Sequence, residues 1–171
     1  MERILTSELA AHVGHRVLVQ GWLQRERRLA TVNFALVRDR AGLAQVVTPK
    51  PLSLAPETVV EVEANVVVSD QAPGGVELHD AEVRVVAEAA TPTPVELHRP
   101  EPRESLPIRL DHAAVSLRHP RTRERFRVAA RSVAAFRAAL YARGFVEIQT
   151  PKIVASATEG GANVFRLDYF G

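Results

Sequence analysis

Val32-Asn33-Phe34-Ala35-Leu36-Val37-Arg38-Asp39-Arg40-Ala41-Gly42-Leu43-Ala44-Gln45-Val46-Val47-Thr48 is the stretch on which the fold turns. Val32 to Val37 and Leu43 to Thr48 are short strand-like runs, and Asp39-Arg40-Ala41-Gly42 between them is a turn, so the stretch spells a hairpin. Upstream, from Arg16, the period is also two. Val17, Val19, Gly21 and Leu23 share one face, and Leu18, Gln20 and Trp22 share the other, with Trp22 assigned to the core. Downstream, Thr58 to Ser69 alternates with Val60, Val62, Ala64, Val66 and Val68 facing inward. Pro73-Gly74-Gly75 turns the chain, and Val76 to Val86 is a further strand with a break expected near Asp80. Ahead of them all, Thr6 or Ser7 caps a short helix through Glu8, Leu9 and Ala11 that Gly14 stops. Five strands within roughly ninety residues, two of them joined by a tight turn, predict a small closed or nearly closed all-β barrel. The five-stranded Greek-key barrel that binds oligonucleotides is the natural candidate, although periodicity alone does not separate it from other small barrels.

The bulk numbers narrow the classes of function. The 171 residues suit one or two small domains, with 46% hydrophobic and 25% charged residues. No cysteine is present, which removes disulfides, thiolate metal sites and cysteine nucleophiles. No apolar run is long enough for a membrane helix, and Met1-Glu2-Arg3-Ile4-Leu5 lacks the pattern of a secretory signal, so a cytoplasmic protein is expected. Net charge is only +2, yet Lys50 and Lys152 are the only lysines among 22 basic residues. Two origins fit the arginine bias: a GC-rich genome, or phosphate recognition by forked guanidinium donors. The six histidines are scattered without metal-ligand spacing, so no metal site is expected.

Within the barrel three positions stand out. Arg25-Glu26-Arg27-Arg28 is expected to lie between the first two strands, where it can meet phosphates. Phe34 sits between Asn33 and Ala35, and an aromatic on the open face of such a barrel can stack a base. Gln45 is polar inside an apolar strand and can hydrogen-bond a base edge; the alternative is a solvent-facing residue of an edge strand. After the barrel, expected over residues 1–88, comes a proline-rich stretch, 89–107, with Pro92, Pro94, Pro100, Pro102 and Pro107. Proline at that density resists helix and central strand and predicts a stiff extended connector. In residues 108–171, Pro120 opens a helix whose apolar face is Phe126, Ala129, Ala130, Val133, Phe136 and Leu140. Its arginines read as a solvated face ahead of an RNA contact. Gly144 ends that helix, Phe145-Val146-Glu147-Ile148 alternates as a strand, and Pro151 forces Thr150 to be extended.

Two halves of the chain carry a resemblance. Gly21-Trp22-Leu23 with Arg25 and Arg27, Phe34, and Val37 through Val47 resembles the anticodon-binding domain of aspartyl-tRNA synthetases. The wording departs from the common bacterial pattern at Arg28-Leu29-Ala30-Thr31, where an aspartate and two glycines are usual. Arg109-Leu110-Asp111, Leu117-Arg118, Phe126-Arg127, Thr150-Pro151-Lys152-Ile153 and Ala157-Thr158-Glu159-Gly160-Gly161-Ala162 resemble motif 1 and the following loop of the same class II enzymes. The resemblance implies the start of an α+β catalytic domain after an oligonucleotide-binding barrel.

It also implies roles. Phe34 would stack on the central anticodon uridine, Arg27 and Gln45 would hydrogen-bond that base, and Glu77 would lie near the first anticodon base. Pro73 is similar to a proline of the archaeal-type branch that goes with relaxed discrimination, so that tRNA(Asp) and tRNA(Asn) are both charged with aspartate. Pro151 would lie in the motif 1 interface of a homodimer. Glu159, Gly160 and Gly161 would form a loop closing over aspartate, for which paired glycines supply backbone freedom. The arginines of motifs 2 and 3, which hold ATP with Mg²⁺, find no counterpart in residues 1–171, so no catalytic residue is expected here. The expected whole is an ATP-dependent aspartate–tRNA ligase, with a tRNA-dependent amidotransferase as a partner of the relaxed branch. A tRNA-binding truncated paralogue and an asparaginyl enzyme are the alternatives.

Overall fold

Alternation of small β-branched residues with polar ones builds a sheet that must bury one face, and here the sheet closes on itself. The computed structural model describes residues 3–150. Five strands, β1 (Arg16–Arg28), β2 (Asn33–Arg38), β3 (Leu43–Thr48), β4 (Val59–Val68) and β5 (Val76–Ala87), form a closed barrel in the order β1-β2-β3-β5-β4. All neighbours are antiparallel except β3 and β5, which run parallel. That single parallel closure is what distinguishes the oligonucleotide-binding barrel from a simple meander.

The interior is mostly valine. Val17, Val19 and Leu23 of β1 meet Val37, Val46, Val60, Val62, Val66 and Leu78 inside, all nearly inaccessible to water. Each such side chain contributes about 1.5–3 kcal/mol by leaving water. The expected inward set is right through Val66, but Val68 is 62% exposed, because β4 runs past the end of the barrel. Trp22 also departs from expectation: it is half-buried on the outer face, its ring 5.7 Å from the Arg38 guanidinium carbon and 5.1 Å from that of Arg118. Its neighbour Gly21 faces inward where β1 and β2 press together. A Cβ there would stand 2.3 Å from the Arg38 carbonyl oxygen.

A short 3-10 helix, Thr6–His12, precedes β1 and is tied to the β2–β3 turn by Asp39. That carboxylate, 2% exposed, accepts from the Thr6 N–H and hydroxyl at 2.7 Å each and from the N–H groups of Ala41 and Gly42. Burial pushes the Asp39 carboxyl up, but these four donors outweigh it and hold the group below its ordinary value. At Asp80 the strand β5 is not broken; the residue takes a positive φ of 51° and the register to β4 shifts between Glu63 and Asn65. An aspartate tolerates that left-handed conformation better than most residues.

Between β5 and residue 105 the chain has no helix or strand, as its prolines require, but Val95 and Leu97 are buried. His119, 1% exposed, is bonded through its ring nitrogens to the Arg99 carbonyl and the Arg121 N–H. Three helices follow: α1 (Leu106–Asp111), α2 (Ala113–Ser116) and α3 (Pro120–Tyr141). The first two short helices are not foreshadowed by any apolar period. The chain divides into two compact units, Met1–Phe126 and Arg127–Gly171. In the second, α3 ends as expected: the Gly144 N–H bonds the Tyr141 carbonyl, the Phe145 N–H bonds the Leu140 carbonyl, and Gly144 has φ 81°. This is a Schellman cap. Residues 145–150 form no strand, because a strand needs a ladder partner and none of the described residues supplies one. Glu147 instead accepts from Arg137 at 3.0 Å and from the Tyr141 hydroxyl at 2.8 Å.

Candidate nucleic-acid interface

The outer face of β1, β2, β3 and β5 carries the candidate residues, and a backbone irregularity puts them there. Along β1 the buried residues are Val17, Val19, Gly21 and Leu23, so an unbroken alternation would send Arg25 and Arg27 inward. The register to β2 slips between Leu23 and Arg25, which inserts Gln24 as an extra residue. Beyond that bulge the parity reverses. Arg25 and Arg27 turn outward, while Glu26 turns in and accepts the Leu52 N–H at 2.6 Å. Arg25-Glu26-Arg27-Arg28 is therefore part of β1 rather than a loop between strands, which corrects the expectation from sequence.

Two cross-strand rows result. In one, Arg27 is paired with Phe34, and its guanidinium carbon lies 5.0 Å from the centre of the Phe34 ring. In the other, Arg25 pairs with Leu36, Leu36 with Gln45, and Gln45 with Glu77 across the parallel β3–β5 closure. Arg25, Arg27, Phe34, Leu36 and Gln45 line one cleft. Phe34 and Leu36 are half-buried, so the cleft has an apolar floor with cationic walls. Gln45 is only 8% exposed and is not a free edge residue: its amide donates to Glu77 Oε1 at 2.7 Å.

Glu77 is the hub behind the cleft. Its other oxygen, Oε2, lies 3.1 Å from His79 Nε2. Burial raises the Glu77 carboxyl, but hydrogen bonds from His79, Gln45 and Ser69 outweigh it, and the group stays below the usual carboxylate range. Pro73 opens a short 3-10 turn, Pro73–Gly75, in which Gly74 and Gly75 have φ of 74° and 76°. The turn feeds directly into β5 and so sits near Glu77 in the chain. Arg27, Phe34, Gln45 and Glu77 are thus brought onto one face. Arg25, Leu36 and His79 join them without having been singled out individually; the alternation that places Phe34 and Gln45 outward would have found Leu36 and His79, whereas Arg25 depends on the bulge. Pro151, Glu159, Gly160 and Gly161 lie outside the described residues.

A family model described as tRNA synthetases class II (D, K and N) matches residues 105–170. The aspartate–tRNA(Asp/Asn) ligase of Methanocorpusculum labreanum is 40% identical over 98% of this chain, and that of Deinococcus radiodurans is 40% identical over all of it. The chain spans 41% and 39% of those two relatives. Among solved structures, the asparaginyl-tRNA synthetase from Pyrococcus horikoshii complexed with asparaginyl-adenylate matches 99% of this chain and 41% of its own, with a TM-score of 0.84 and 27% identity. With a barrel of oligonucleotide-binding topology in front and a segment matching class II tRNA synthetases behind, the chain is similar along its whole length to about two fifths of the length of those aspartate–tRNA(Asp/Asn) ligases.

Proposed function

We propose that this chain is the anticodon-reading and motif 1 part of an aspartate–tRNA ligase that attaches aspartate to tRNA(Asp) and to tRNA(Asn) at the expense of ATP. In this reading residues 1–88 are the anticodon domain, 89–107 a connector and 108–171 the start of the catalytic domain. The observation that carries it is the paired Arg27 and Phe34 beside Gln45. A half-buried ring at the floor of a cationic cleft offers a stacking surface, and a neighbouring guanidinium donates to a base carbonyl. Identity of 40% to ligases named for both tRNAs favours aspartate over asparagine as the amino acid. Pro73 fits the relaxed tRNA choice, Pro151 a homodimer, Glu159 to Gly161 a substrate loop, and a tRNA-dependent amidotransferase a downstream partner. A cytoplasmic location follows from that role; no helix among the described residues is long and apolar enough to cross a membrane.

Magnesium would neutralise phosphate charge during adenylate formation. Among the described residues no group of three or more His, Asp or Glu side chains fits a metal, and no step is assigned to one here. What these residues do is bind and orient: Phe34 stacks, Arg27 and Gln45 hold a base edge, and Arg25 and Arg28 attract phosphate. The test is Phe34→Ala. Loss of one stacked base costs about 1–3 kcal/mol, so tRNA(Asp) affinity falls at least fivefold with unchanged far-ultraviolet circular dichroism. An affinity within twofold of the parent chain refutes the assignment.

A further inference from the structure

Gln45 is chemically ambiguous as a base reader. Its amide has one face that donates and one that accepts, and a flip of the side chain exchanges them. A carboxylate only accepts, so the contact with Glu77 Oε1 at 2.7 Å can be made only by the Gln45 NH₂ group. That contact fixes the flip state: the NH₂ group is turned to Glu77, and the oxygen, on the other side of the amide, is the acceptor Gln45 presents. Glu77 is held in place in turn, because His79 Nε2 stands 3.1 Å from its second oxygen. The Glu77 side chain is 13% exposed and the Gln45 residue 8%, so water competes weakly for either group. Backbone pairing of Gln45 with Glu77 fixes the spacing of the two side chains independently of their rotamers.

We propose that Glu77 and His79 are positioning residues that lock the Gln45 amide with its oxygen available to the cleft, so that the cleft selects a pyrimidine whose ring nitrogen on the Watson–Crick edge carries a hydrogen. Uracil has that donor at N3; cytosine has a bare acceptor there. Glu77 then acts on specificity through Gln45, whether or not it also touches a neighbouring nucleotide. The inference rests on the assignment of this cleft to the anticodon.

The experiment measures binding of the whole chain to two anticodon stem-loop RNAs that differ only in U or C at the central position. Glu77→Gln keeps the shape of residue 77 but can accept or donate, which frees Gln45 to flip. The preference for the U loop over the C loop is expected to fall about tenfold, mainly by improved binding of the C loop. His79→Leu is expected to shift the ratio in the same direction, and His79→Gln, which restores a donor to Glu77, to return most of it. An unchanged ratio in Glu77→Gln overturns the proposal, and so does an equal loss for both RNAs, which would mark a merely structural role. Phe34→Ala separates the levels. If it leaves both RNAs bound as before, the anticodon assignment itself fails; if it weakens both while Glu77→Gln keeps the ratio, only the locking mechanism fails.

Discussion

Two residues show how much a single side chain can organise here. Asp39 joins the N-terminal turn to the hairpin by accepting four hydrogen bonds from a position almost closed to water. Its carboxyl is depressed in the folded state, so the stabilisation it gives is complete above the unfolded value of about 3.9 and is lost as pH falls through the lower folded value. Thermal melts between pH 7 and pH 2 will show a steeper acid decline in the parent than in Asp39→Asn, which has no proton to gain. Asp39→Ala leaves buried N–H groups without partners and costs more than about 2 kcal/mol in urea unfolding at pH 7. Gly21 is the second case. An alanine methyl would have to displace the backbone carbonyl of Arg38, which a flexible side chain could do cheaply and a barrel strand cannot. Gly21→Ala is expected to cost about 3 kcal/mol by the same measurement.

At the scale of elements, what sequence makes legible is what period reports. Alternation in Arg16 to Leu23, Val32 to Val37 and Thr58 to Val66 located three walls of the barrel, because each strand has one wet and one dry face. Phe34 could be assigned to the outer face from that same parity. Arg25 and Arg27 could not, since a bulge changes parity without leaving a residue type behind, and Gln24 looks like any polar strand residue. Trp22 was misplaced for a related reason: its size argues for burial, but two guanidinium groups cover it from outside. Deleting Gln24 restores continuous alternation and would turn Arg25 and Arg27 toward the valine core. That variant should lose tRNA binding and unfold at lower urea concentration together, whereas Phe34→Ala should lose binding alone. The end of α3 was legible to the residue, because only glycine adopts the left-handed cap without strain. Gly144→Ala should cost about 1 kcal/mol.

For the molecule as a whole, the proline-rich stretch reads in sequence as a spacer, yet the unit that begins with the barrel extends to Phe126. The fastening is electrostatic as well as apolar. Glu57 is 7% exposed at its side chain and binds Arg38 of β2 at 2.8 Å and Arg118, beyond α2, at 3.1 Å. Both guanidinium groups also lie against the Trp22 ring. Glu57 holds a positive φ of 67° to reach them, a conformation that survives only where surrounding contacts enforce it. No period or motif announces such a cluster, since even Glu57 and Arg118 are 61 residues apart in sequence. Removing Glu57 would leave Arg38 buried without its counter-charge, and breaking a buried pair in this way costs about 3–5 kcal/mol. Arg118, 39% exposed at its side chain, can turn to water instead. Glu57→Ala should therefore destabilise the barrel, whereas Arg118→Ala should leave barrel stability within about 1 kcal/mol. Arg118→Ala should instead raise protease cleavage within residues 88–105, because Arg118 ties its neighbour His119 to the barrel, and the His119 ring bonds the Arg99 carbonyl of that segment. Unchanged cleavage in Arg118→Ala would mean that the buried Val95, Leu97 and His119 hold that segment without help from the ion pair.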